Sequence, residues 1–325
     1  MTAAKDTYRK LSDTMAKYHI RSIYLLIILY VIVVGIVKPS FLQPDNWMNL
    51  LRSVSVYGII SCGITFVMLT GRTDLSAGMM LTFLAAISCY FVTPGIENQL
   101  LAIAVPMGAV GGLVNGILVG VIRLNSFVST LGMMSLYTGF VLLFIKQSPS
   151  LFGSQDMTVY RFLGQGSVLG IPTPVIILAI VAIVSSIVLR RTVYGARIYA
   201  VGSNASAARY SGISPAAIIV SVYTVSGLLT GLGAVVMCSR ILSAQPKMGS
   251  GYEFTALTAI VLGGLSIQGG KGGILGTLIG VLILGIIDNS FVILGLDSNL
   301  QYIVKGAILI IAVAVQIRSE RRRGL

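Results

Sequence analysis

The chain has 325 residues, 55% of them hydrophobic and only 10% charged, where soluble domains carry about 25% charged residues. With a mean hydropathy of +0.92, a water-soluble fold would expose aggregating apolar patches, so lipid is the solvent that fits. The net charge of +13 does not point to nucleic acid, because the basic residues lie in gaps between apolar runs rather than on one soluble face.

The 37 glycines suit transmembrane helices that approach closely. Cys62, Cys89 and Cys238 lie in apolar stretches and form no CxxC pair, and His19 is the single histidine. Neither a metal centre nor a cofactor is therefore expected. Residues 1–21 form a basic leader carrying Lys5, Arg9, Lys10, Lys17 and Arg21. The apolar run behind it lacks a small-residue cleavage site, so it reads as an uncleaved first span rather than a signal peptide.

A helix needs about 20 residues to cross the hydrocarbon core. Apolar runs of that order fall near 22–38, 54–70, 75–92, 100–122, 127–145, 173–190, 215–238, 254–265, 273–294 and 301–317. The third follows closely on the second and the eighth is short. Both read as broken or re-entrant elements, which are tolerated where protein or water covers the backbone. Placing the N-terminus inside puts 16 of the 23 Lys and Arg residues on the inner side and 7 on the outer side, as the positive-inside rule requires. The expected fold is thus all-α: a polytopic bundle of about ten spans with both termini inside. It comprises one membrane domain over 22–317 and a basic tail over 318–325.

The sequence offers no clear motif for an energy source of its own. The nearest approach to a P-loop runs from Gly264 to Gly273, but its first glycine is out of register with Lys271 and Gly272 replaces the required Ser or Thr. Ion coupling normally uses charges within spans, and only Asp288 lies well inside one, with Asp74 and Glu253 at span edges. The longest inner connection, 192–213, offers a docking surface for a separate motor. Ser203 or Asn204 can cap a short helix there, an alanine-rich turn follows, and Gly212 can stop it. A plain connecting loop is the alternative.

Four ordered blocks then resemble the ribose-type permeases of the branched-chain amino acid/sugar superfamily of ABC transporters. Tyr194-Gly-Ala-Arg-Ile-Tyr-Ala-Val-Gly-Ser-Asn-Ala-Ser-Ala-Ala-Arg-Tyr-Ser-Gly212 resembles the family's cytoplasmic loop. Leu69-Thr-Gly-Arg-Thr-Asp-Leu-Ser-Ala-Gly78 is similar to its TGGIDLSVG block, and Gly111-Gly-Leu-Val-Asn-Gly116 through Asn125-Ser-Phe-Val-Ser-Thr-Leu-Gly132 to its NG and FIxTLG blocks. Ser243 to Glu253 and Val261 to Gly280 resemble SAQPxxGxGYE and the glycine-rich block behind it. Departures are Arg72 and Thr73 in place of Gly-Ile, and Thr138 where many relatives carry Arg.

The resemblance implies a transport subunit rather than an enzyme. It would work with a cytoplasmic ABC ATPase, an outer sugar-binding protein and a second permease chain in the lipid of a bacterial inner membrane. It also implies that Gly195, Arg197, Ser203, Asn204, Ala207, Arg209 and Gly212 form the ATPase-docking loop. Asp74 can bond sugar hydroxyls or cap a broken helix. Asn115, among Gly108, Gly111, Gly112, Gly116 and Gly120, can line a pathway or bond a neighbouring helix. Asp288 and Asn289 can form a polar entry or a structural pair. Lys247 and Glu253 can touch the binding protein or be solvated charge, and Trp47 suits the headgroup region.

Overall fold

The computed structural model describes residues 27–91, 100–144 and 158–322. The leader 1–21 and the start of the first expected span lie outside the described residues. The described chain is almost wholly helical. It begins with α1 (Ile27–Val37), a 3-10 turn (Pro39–Leu42), α2 (Pro44–Leu69), α3 (Ala77–Phe91), α4 (Leu100–Gly116) and α5 (Ser126–Phe144). After α6 (Thr158–Gln165), a two-stranded hairpin of β1 (Ser167–Val168) and β2 (Ile171–Pro172) leads into α7 (Thr173–Arg191). The remainder is α8 (Val193–Ser203), α9 (Ala205–Tyr210), α10 (Pro215–Ile241), α11 (Tyr252–Leu262), α12 (Ile274–Ile293) and α13 (Ser298–Arg322).

Among the described residues seven helices, α2, α4 with the π-helical turn Ile117–Val121 that continues it, α5, α7, α10, α12 and α13, are long and apolar enough to cross a membrane; α1, α3 and α11 are apolar but shorter. Together they match the ten apolar runs. The main boundary difference is α2, which begins ten residues before its apolar run. Its first turns carry Asp45, Asn46, Asn49, Arg52 and Ser53, which hydropathy alone assigns to a loop. They remain helical because several of them face a polar cavity or another chain segment instead of lipid. The basic tail likewise continues α13 as far as Arg322.

The short helices have a structural cause. After α2 the chain runs non-helically from 70 to 76, and after α10 it does so from 242 to 251. These interruptions lead to one another: the Gly249 amide donates to Thr82 Oγ1 on α3 at 3.0 Å. A Cβ on Gly249 would lie 2.2 Å from the Gly78 carbonyl. In the first interruption Asp74, Leu75 and Ser76 are buried, so irregular backbone there is covered by protein, the condition under which lipid tolerates it.

The core is built around α10, which packs most extensively against α4 and α2. Without a hydrophobic driving force between helices in lipid, close backbone approach and dispersion hold them together. Gly112 on α4 shows how close: an added Cβ would lie 2.1 Å from the Tyr223 carbonyl and 3.0 Å from Gly227 Cα. Cys62 and Cys238 are buried and form no disulfide.

Candidate functional site

Three places in the fold concentrate polar groups. The first is central. Asp74 is fully buried in the break before α3, where its Oδ1 accepts from the Ser76 amide (3.0 Å) and the Ser76 hydroxyl (2.7 Å). That local pattern is an Asx-turn just ahead of α3. Its Oδ2 accepts from Ser226 Oγ of α10 at 3.2 Å, while Asn115 Nδ2 of α4 donates to Ser76 Oγ at 2.8 Å. The Leu75 amide donates to Thr130 Oγ1 of α5 at 3.1 Å, and Tyr223 donates to the Thr73 carbonyl at 2.6 Å. Ser226 stands about 16 Å along α10 from its inner end, so the carboxylate sits deep in the bundle. It is not at a span edge. Asp74 and Asn115 thus share one network that ties α3, α4, α5 and α10 together, and neither is open to solvent.

The second place is a cavity of about 720 Å³ between the outer ends of α2, α10, α12 and α13 and the start of α11. Asp288 and Asn289 line it. Asp288 Oδ2 pairs with Lys305 Nζ of α13 at 2.8 Å, and Asn289 exchanges two hydrogen bonds of 2.9 Å with Asn46 of α2. Arg240 Nη2 reaches Ser53 Oγ at 2.8 Å across the same space. None of Lys305, Asn46 and Arg240 stands out in the sequence as a site residue. Their partners lie on other helices, up to 243 positions away, and no short-range pattern announces them.

The third place is on the inner side. Thr192 caps α8, its side chain accepting from the Gly195 amide at 3.1 Å. Asn204, rather than Ser203, caps α9 by accepting from the Ala207 amide at 2.9 Å. The helix stops at Gly212, which takes φ +79°, with the Ile213 amide bonded to the Ala208 carbonyl and the Gly212 amide to that of Arg209, both at 3.0 Å. This is the paired closure of a Schellman motif. Arg197, Ser203, Asn204, Ala207, Arg209 and Gly212 are exposed, while Gly195 is buried against the end of α7. The preceding helix α8, read from the sequence only as part of a connection, is the larger of the two. It seats on the bundle through Gly202, where a Cβ would lie 1.8 Å from the Leu69 carbonyl and 2.7 Å from the Gly270 amide nitrogen. Gly270 N–H donates to that same carbonyl at 2.9 Å, and Tyr199 donates to the Gly272 carbonyl at 2.9 Å. Burial raises the pKa of Tyr199 above its ordinary value.

The family described as branched-chain amino acid transport system / permease component matches residues 46–313, a span that contains all three places. The chain belongs to this family. Among its relatives, the ribose import permease of Bacillus subtilis (strain 168) is 40% identical over 291 residues, covering 89% of this chain and 90% of the relative. The ribose import permease of Escherichia coli (strain K12) is 40% identical over 304 residues, covering 92% and 94%. The L-arabinose ABC transporter permease of Azospirillum brasilense is 36% identical over 290 residues, covering 88% and 84%. No solved structure matches the chain. As a permease component the protein is a membrane transport subunit, and a system of this kind operates with an ATPase and a substrate-binding protein.

Lys247 and Glu253 of the permease separate. Lys247 is exposed in the segment before α11. Glu253, expected in a solvated outer connection, is instead 3% exposed. Its Oε1 accepts from the Gly251 amide at 3.2 Å, and its Oε2 crowds Gly78 of α3. The segment 242–251 turns inward and carries this carboxylate away from the surface, so a docked protein cannot reach it in this conformation. The departure at 73 has a local partner: Thr73 bonds Ser126 through its amide and hydroxyl, both at 3.4 Å. Thr138 bonds back to the Met134 carbonyl at 2.8 Å, a common resting place for a helical threonine.

Proposed function

We propose that the chain is the membrane-spanning subunit of an ATP-driven importer that passes one monosaccharide from an outer binding protein into the cytoplasm of a bacterium. The observation that carries this reading is the near-complete alignment, at 36–40% identity, with permeases named for ribose and L-arabinose. An aldopentose or a related hexose is the substrate class this favours. The ATPase meets the exposed face of α8 and α9, where small residues such as Ala207 permit close approach and Arg197 and Arg209 supply charge. Two permease chains complete the pathway.

Asp74 and Asn115 serve in this reading as the hub that holds the interrupted α3 in register, rather than as sugar ligands. The Asp288 charge is matched by Lys305. The deciding experiment is uptake of radiolabelled aldopentoses and aldohexoses by cells carrying the permease with its operon partners. Uptake is expected to survive a protonophore while ATP is maintained, and to stop when ATP is depleted with the membrane potential clamped. The reverse pattern identifies an ion-driven carrier and overturns the proposal.

A further inference from the structure

The outer cavity has the chemistry of a polyol site, and a single permease chain lines it while leaving it partly open. Lys305 pairs with Asp288 Oδ2. Arg240 donates to the Ser53 hydroxyl, a neutral partner, and keeps its positive charge. Beside that cation the walls offer neutral hydrogen bonding. Asp288 Oδ1 is buried and makes no hydrogen bond, an acceptor whose unmet capacity is costly unless a donor arrives. The Asn46–Asn289 pair presents both donors and acceptors. Beside them, Tyr57 and Tyr252 stand edge to face with ring centroids 6.1 Å apart, and both rings line the cavity.

A sugar has the same two-sided character, with hydroxyls around its rim and C–H groups on its faces. The volume of about 720 Å³ lies within the about 300–1,000 Å³ of small-molecule sites, which leaves room for one pentose or hexose with some of its water. The cavity is also placed for passage. Its floor is formed by the first turns of α11, and α11 runs from there to the glycine-rich loop that touches Leu69 and Gly202 on the inner side.

We propose that this cavity is a monosaccharide transit site built within each permease chain, which the sugar occupies after leaving the outer binding protein. The proposal rests on the importer reading above.

Gly306 supplies a clean test. It lines the cavity, yet a Cβ added there meets nothing within 4 Å. Leucine at this position adds a bulky apolar side chain at the cavity wall with no clash at its Cβ and suits a helix better than glycine. In proteoliposomes holding the permease, its ATPase and its binding protein, the wild type first identifies which of a panel of aldopentoses and aldohexoses is carried. Gly306→Leu is then expected to lower uptake of that sugar by about tenfold or more, a loss of about 1.4 kcal/mol in binding, while the ATPase still co-purifies. Gln301→Met, which keeps the side-chain length but removes polar lining at the cavity, is expected to raise the KM for uptake by about threefold, about 0.7 kcal/mol. It keeps the test open if the first variant fails to assemble. Uptake by the assembled variants that matches wild type overturns the cavity assignment alone. A wild-type complex that carries no sugar of the panel overturns the importer reading instead.

Discussion

Replacing Asp74 with alanine is expected to lower the stability of the purified permease by about 3 kcal/mol and to abolish uptake, whereas Asp74→Asn retains most of both. The carboxylate accepts three hydrogen bonds in a fully buried site. Alanine leaves the Ser76 amide, the Ser76 hydroxyl and the Ser226 hydroxyl without their acceptor, and each orphaned buried donor costs about 1–3 kcal/mol. The hydroxyls can rotate toward nearby carbonyls and recover part of that loss, which places the sum near the lower bound.

Asparagine keeps an oxygen where Ser76 donates twice, and its amide nitrogen can donate to Ser226, so its cost is expected below about 1 kcal/mol. The two variants separate a positioning role from a direct electrostatic one. Thermal unfolding in detergent, read alongside uptake in cells, measures both. Asp74→Asn that is stable but inactive shows that the charge itself acts on the solute, contrary to the hub described here.

Gly202→Ala is expected to uncouple the complex. Its methyl group would lie 1.8 Å from one backbone atom and 2.7 Å from another, neither of which can rotate aside, so α8 must lift off the end of α2. Overpacking of this kind costs about 1–3 kcal/mol. The strained seat joins the inner helices to Leu69, and the break that leads to Asp74 begins one residue later. Sugar uptake is therefore expected to fall by about tenfold or more while the ATPase still binds and hydrolyses. Gly132→Ala adds the same methyl group where nothing lies within 4 Å and is expected to leave uptake unchanged. Equal rates of uptake in Gly202→Ala and wild type contradict the coupling route.

What was legible in the sequence was whatever short-range chemistry determines. The ten apolar runs reappear as apolar helices because hydropathy is a property of the segment itself. The Asn204 cap and the Gly212 stop were readable for the same reason, since both close within one turn of helix. Helix α8 was missed because Gly195 and Gly202 lower its propensity, and only contact with α7, Leu69 and Gly270 shows why they are glycines.

The depth of Asp74 and the burial of Glu253 were equally hidden. Both depend on two interruptions, 70–76 and 242–251, folding inward against one another. The residues that meet there, such as Gly78 and Gly249, are far apart in the chain. The pairing of Lys305 with Asp288 was hidden as well, because the two stand on different helices. The polar start of α2 reads as a loop until the cavity it faces is known.

The claim on which the account depends is that this chain moves a sugar with work supplied by a separate ATPase seated on α8 and α9. Proteoliposomes containing the purified permease, with and without ATPase and binding protein, measure it directly. Accumulation of the labelled sugar is expected only when all components and ATP are present. It should also be lost with Ala207→Arg, which puts a bulky cation on the docking face. Uptake driven by an ion gradient with the permease alone would contradict the account.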